Sequence, residues 1–132
     1  MRPLRILIVE DEAIIAMGLQ MELEEAGYQV CQSVATGEEA IACVAQDPPD
    51  LVLMDNRLAG KMNGIEAARA LLAVHPLPII FMTGYAVHEI IERLQELKPL
   101  GILTKPVRVF QLAPLIDSIP GDGIPGDGIP WD

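Results

Sequence analysis

Basic residues are scarce in this chain: 9 Lys and Arg stand against 19 Asp and Glu, for a formal net charge of −10 over 132 residues. That balance argues against direct binding of nucleic acid, or of an anionic membrane, through a basic face. Long apolar runs are missing too. None approaches the ~18 residues that would span a bilayer. The apolar stretch of "MRPLRILIVEDE" is too short for a signal-peptide core and runs straight into acids. Cysteine is rare. Cys31 and Cys43 fall in a strand pattern and a helix pattern without metal-ligand spacing, which predicts buried free thiols in a reducing cytosol and a cytoplasmic protein. None of this describes a disordered chain, because 51% of residues are apolar and 21% charged. The length suits one domain with a real core and is too short for two.

What the chain does contain is alternation. Short apolar runs at Leu4–Val9, Tyr28–Val34, Leu51–Met54, Leu77–Met82 and Gly101–Leu103 read as strands, and patterns of period near 3.6 lie between them. The clearest helical pattern is "VHEIIERLQEL", with Val87, Ile90, Ile91, Leu94 and Leu97 on one face. "TGEEAIACVAQ" opens with Thr36 and Glu39 in capping-box spacing, and "NGIEAARALLAVH" opens at Asn63, another cap candidate. The first helix is expected over Ala13–Ala26, ending at Gly27. Gly18 inside it costs about 1 kcal/mol relative to alanine. Five strands alternating with five helices predict a doubly wound α/β domain: a parallel sheet with helices on both faces and strands apolar on both sides. That domain is expected over residues 1–118. Residues 119–132, "IPGDGIPGDGIPWD", repeat a five-residue unit too rich in Pro and Gly for a helix. They read as a tail or truncated linker, with a docking peptide anchored by Trp131 as the alternative.

Open α/β sheets place their sites at the carboxyl ends of the strands. After the first strand come Glu10, Asp11 and Glu12; after the third Asp55; after the fourth Thr83; after the fifth Lys105. Alone, each has an ordinary explanation as a cap, a turn residue or a surface lysine. Together they would converge on one edge. Clustered carboxylates repel unless a cation sits among them, and oxygen-only ligands suit a hard ion such as Mg2+. A carboxylate can also act as a nucleophile and form an aspartyl-phosphate, with ammonium, hydroxyl and metal holding the phosphoryl oxygens.

The motifs "ILIVEDE", "LVLMDNRLAGKMNGIEAAR", "PIIFMTGYA" and "GILTKP" resemble, in order and spacing, the receiver domain of two-component response regulators, over about residues 4 to 118. The resemblance implies a flavodoxin-like five-stranded sheet in the order 2-1-3-4-5. It implies Asp55 as phosphoacceptor, and Mg2+ held by Glu10, Asp11, Asp55 and the backbone carbonyl of Arg57. Thr83 would be the switch hydroxyl and Lys105 the phosphate-contacting lysine, with a Lys105–Pro106 bond that is often cis in the family. It further implies a phosphoryl group received from a sensor histidine kinase or phosphotransfer protein, with no enzymatic activity beyond self-phosphorylation and autodephosphorylation. A downstream protein would be contacted through the face of the fourth helix, fifth strand and fifth helix; homodimerisation stays open. No nucleic-acid-binding or enzymatic domain follows residue 118, so output is expected to pass through protein contact.

Three positions depart from the family pattern. Ile102 replaces the usual aromatic switch residue, and Ala59 replaces a common loop proline. "FMTGY" is similar to a subset of single-domain receivers, in which Tyr85 would take over part of the aromatic role. Arg57 and Tyr85, each two residues past a site residue, are expected to shield the aspartyl-phosphate and tune its lifetime, the alternative being that both face solvent. Pro114 is expected to shorten or kink the fifth helix. Two other functions compete with the receiver reading. A Mg2+-dependent phosphohydrolase would want an acid where Arg57 stands. A phosphorylation-independent pseudo-receiver would have lost the acid pair, the Asp or the Lys, and all are retained here.

Overall fold

The computed structural model describes residues 3–84 and 88–119. Ten elements alternate along the chain: β1 (Arg5–Val9), α1 (Ala13–Glu25), β2 (Gln29–Val34), α2 (Gly37–Gln46), β3 (Leu51–Asp55), α3 (Gly64–Val74), β4 (Ile79–Thr83), α4 (His88–Gln95), β5 (Gly101–Thr104) and α5 (Val109–Asp117). All four strand pairings are parallel, in the order β2-β1-β3-β4-β5. This is the doubly wound sheet that the alternation predicts, in the flavodoxin-like strand order that the resemblance implies.

The apolar strands account for the layering. Ile6, Ile8, Leu51, Leu53, Ile80 and Met82 point into a cluster with Leu19, Leu23, Leu112 and Ile116 of α1 and α5. Leu7, Val9, Val52, Met54 and Phe81 point the other way, into a cluster with α2, α3 and α4. Successive strand residues face opposite sides, so a strand covered on both faces must be apolar throughout. That holds for β3 and β4, each buried along its whole length. It fails for β2 and β5, which the sequence reading also took as apolar on both sides. Both are sheet edges and are largely half-exposed or exposed, because no neighbouring strand covers one flank.

Helix ends follow the local chemistry. Thr36 and Asn63 each accept the backbone N–H three residues on, while Glu39 and Glu66 reach back to the cap residue, completing two capping boxes. Gly27, just past α1, adopts a φ of +97°, the left-handed stop expected there. Pro114 does not end α5, which runs through it to Asp117. The helix is short all the same, at nine residues.

The cysteines are free but only half-buried, not fully buried as expected. The register of β1 against β2 slips at this point, Ile6 facing Val30 and Leu7 facing Gln32, so Cys31 lies in a bulge on an edge strand. Burial pushes both thiols above their ordinary pKa, which keeps them protonated and weakly reactive. Among the described residues, no helix is long and apolar enough to cross a membrane. Tyr85, Val87 and Trp131 lie outside the described residues.

Candidate functional site

The carboxyl edge of the sheet is where buried polar side chains collect. Glu10 and Asp55 are each 2% exposed and Thr83 is fully buried, in a core otherwise apolar. Asp55 closes β3, in register with Met82 of β4. Lys105 follows β5, and its backbone N–H donates to the carbonyl of Thr83 at 2.8 Å, tying the turn after β5 to the end of β4. From there the ammonium reaches inward. Its Nζ donates to Asp55 Oδ2 at 2.8 Å and lies 2.8 Å from Glu10 Oε1. The Glu10 oxygen is buried, with the lysine ammonium as its close cationic partner. Burial alone would lower the lysine's pKa. Hydrogen bonding and charge from Asp55 and Glu10 outweigh it, and the net direction is up. Lys105 is therefore a firmly charged countercharge for two desolvated carboxylates.

The other oxygens are also placed by backbone. Asp55 Oδ1 accepts from the N–H of Arg57 at 3.1 Å, and Glu10 Oε2 accepts from the N–H of Glu12 at 3.0 Å. Asp11, next to Glu10, is exposed. Carboxylate oxygens of Glu10, Asp11 and Asp55 lie within 4.8 Å of one another. Three carboxylates against one ammonium leave the site net negative. Carboxylate oxygens from three residues, two of them buried and sharing one ammonium, make an all-oxygen set that fits a hard divalent cation.

The loop after β3 is held from two sides. Thr36 and Ala59 form an isolated parallel bridge, so the position lacking the common proline is tied to the start of α2 instead. Gly64, first residue of α3, donates its N–H to the carbonyl of Asn56 at 3.1 Å. A Cβ at Gly64 would collide with the carbonyl oxygen of Asp55 and with Asn56 Cα. Sequence reasoning missed this glycine. The only signal was its place straight after the Asn63 cap, which does not distinguish a helix start from a buttress under a site residue.

Of the predicted site residues, Glu10, Asp11, Asp55 and Lys105 come together, and Thr83 ends the adjacent strand. Arg57 contributes its backbone to Asp55, while the residue as a whole is exposed. Ile102 sits in β5 opposite Phe81 and packs on the cluster beneath α4. Beside it a groove of about 500 Å³ opens between α4 and β5, lined by Ile91, Gln95, Lys98 and Ile102 among others. The Lys105–Pro106 peptide is cis.

The family model described as "Response regulator receiver domain" matches residues 6–117. The chain is 34% identical over 115 residues to the transcriptional regulatory protein PdtaR of Mycobacterium tuberculosis, covering 87% of this chain and 56% of that protein. It is 34% identical over 116 residues to sporulation initiation phosphotransferase F of Bacillus subtilis, covering 87% of this chain and 90% of that protein. Among solved structures it is similar to the signal receiver domain of a modulated diguanylate cyclase from Desulfovibrio desulfuricans, at 38% identity and a TM-score of 0.81, covering 88% and 92% of the two chains. The chain spans about half the length of PdtaR and less than a third of a protein-glutamate methylesterase from Hahella chejuensis that it also matches.

Proposed function

The chain belongs to the response regulator receiver family of two-component systems, and from that premise we propose that it is a phosphorylation-activated switch with Asp55 as its phosphoacceptor. The observation that carries this is the Asp55 carboxylate itself, buried at the mouth of β3 and held by the Arg57 N–H on one oxygen and Lys105 on the other. An oxygen of Asp55 attacks the phosphorus of a phosphohistidine on a sensor kinase or phosphotransfer protein. The new P–O bond forms as the P–N bond breaks, and the imidazole nitrogen keeps the electron pair and takes up a proton. Lys105, already beside Asp55, pairs with the phosphoryl oxygens, and the hydroxyl of Thr83 donates to another. Glu10, Asp11 and Asp55, with the carbonyl of Arg57, would hold a Mg2+ ion, which supplies neutralisation of the phosphoryl charge when bound.

Drawing Lys105 and Thr83 toward a phosphoryl group pulls on the ends of β4 and β5, which Lys105 N–H to Thr83 carbonyl bonding links. The α4-β5-α5 face moves with them, and this is the face offered to a downstream protein. With Ile102 in place of an aromatic, the α4–β5 groove is open to that partner's side chains. The exposed Arg57, anchored by its own backbone to Asp55, stands at the rim to slow hydrolysis of the aspartyl-phosphate; Tyr85 is proposed as its counterpart after β4.

Incubation with Mg2+ and acetyl phosphate, followed by intact mass, tests the reading. The expected result is a gain of one phosphoryl group that Asp55→Asn abolishes. Turnover without an adduct would indicate a phosphohydrolase instead, and no reaction a pseudo-receiver.

A further inference from the structure

A second cavity lies beside the phosphoacceptor site and shares one wall with it. It is a groove of about 520 Å³ between α1 and the turn from β5 to α5, floored by Leu19 and Met82 and walled by Ile14, Ile15, Gly18 and Val107. Its flanks are apolar and exposed: Ile14 at 85%, Met17 at 61% and Met21 at 60% on α1, and Phe110 at 74% on α5. Apolar exposure of this kind around a groove, on a protein so rich in acid, calls for an occupant. Gly18 makes the groove deep. It sits mid-helix among better helix formers, and a Cβ there would meet nothing within 4 Å, so its absence leaves a notch that no neighbouring side chain fills.

We propose that the occupant is the C-terminal segment of this same chain, residues 120–132, with Trp131 seated over Gly18. Continuity is the first argument. Ile119 opens the first IPGDG unit and is already 8% exposed, packed in the cluster that α1 and α5 share. The described residues thus end at the seam between α1 and α5, and the groove lies at its other end. The units that follow repeat the apolar residue as Ile124 and Ile129 before Trp131. Reach is the second. The path back along α1 is about 20 Å, at ~1.5 Å per helical residue. Twelve residues from Ile119 to Trp131 span up to ~37 Å in the extended conformation natural to Pro-rich chain. Chemistry is the third. A tryptophan buries more apolar area than any other side chain in this sequence, and its ring suits a slot lined by Ile14, Ile15 and Met82.

Because Glu10 and Lys105 also line the groove, a docked segment flanks the mouth of the site and would compete with a protein phosphodonor approaching there. That consequence rests on the phosphoacceptor reading above; the docking does not. Trp131 is the sole tryptophan, so fluorescence of the full chain reads docking directly, with or without phosphorylation. Docking predicts blue-shifted emission and acrylamide quenching at least two-fold weaker than for free tryptophan. Gly18→Gln, which fills the notch, and Ile14→Ser, which strips the rim, should each red-shift the emission and restore quenching while leaving the circular dichroism unchanged. Solvent-like emission in the unaltered chain would overturn the proposal. So would shielding that neither substitution relieves, which places Trp131 elsewhere, or shielding that is lost on dilution, which places it on a second copy.

Discussion

Replacing Lys105 with methionine keeps the length of the side chain and removes its charge. What remains is Glu10 and Asp55, with side chains 0% and 3% exposed and carboxylate oxygens within 4.8 Å. At an effective dielectric constant of ~20, two like charges at that separation repel by about 3 kcal/mol. Breaking a buried ion pair from one side costs about 3–5 kcal/mol in general. The expected loss is therefore about 3 kcal/mol, a large share of the ~5–15 kcal/mol that holds a domain of this size together. Urea unfolding followed by far-ultraviolet circular dichroism measures it as a fall in midpoint at unchanged slope. The control is Lys105→Met combined with Asp55→Asn, which removes one of the two stranded charges and should recover most of the loss. Mg2+ should likewise stabilise Lys105→Met more than the unaltered protein, since a dication takes over the missing countercharge. A loss below about 1 kcal/mol, or one that Asp55→Asn leaves undiminished, would refute the electrostatic account and leave only packing of the lysine stem.

Three further outcomes follow from the same geometry. The pKa of Lys105 is raised by Asp55 and Glu10 against the opposing pull of burial. Its contribution is complete below the unfolded-state value of ~10.4 and is lost as pH rises through the higher folded value. Urea midpoints of the unaltered protein and Lys105→Met should therefore converge in that alkaline window and stay apart at neutral pH. Gly64→Ala drives a methyl group into the backbone of Asp55 and Asn56, which cannot yield as a side chain can. It should cost at least about 2 kcal/mol by urea unfolding and slow adduct formation with acetyl phosphate. Arg57→Ala should leave adduct formation intact and shorten its lifetime several-fold by intact mass. An unchanged lifetime would mean that Arg57 only faces solvent.

Much of this protein was determined by its sequence alone. The five apolar runs with helical patterns between them specify a parallel sheet, because only βαβ crossovers join parallel strands. Thr36, Glu39, Asn63 and Glu66 announce two helix starts through bonds made within four residues. Asp55 and Lys105 are legible as site residues because one directly follows an apolar run and the other lies two residues past one, and the sheet's geometry brings strand ends to one edge. Tertiary structure decided what depends on residues far apart in the chain. Lys105 reaches Glu10 and Asp55 across 95 and 50 positions only because β5 and the pair β1 and β3 flank β4. The exposure of β2 and β5 and the half-burial of Cys31 follow from which strands fall at the edges, a matter of sheet order. Gly64 reads as a helix residue until the Asp55 backbone is seen against it. The groove over Gly18 likewise exists only once α1 meets the turn before α5. Local bonds write themselves into local sequence; contacts between distant segments are written by the fold that brings them together.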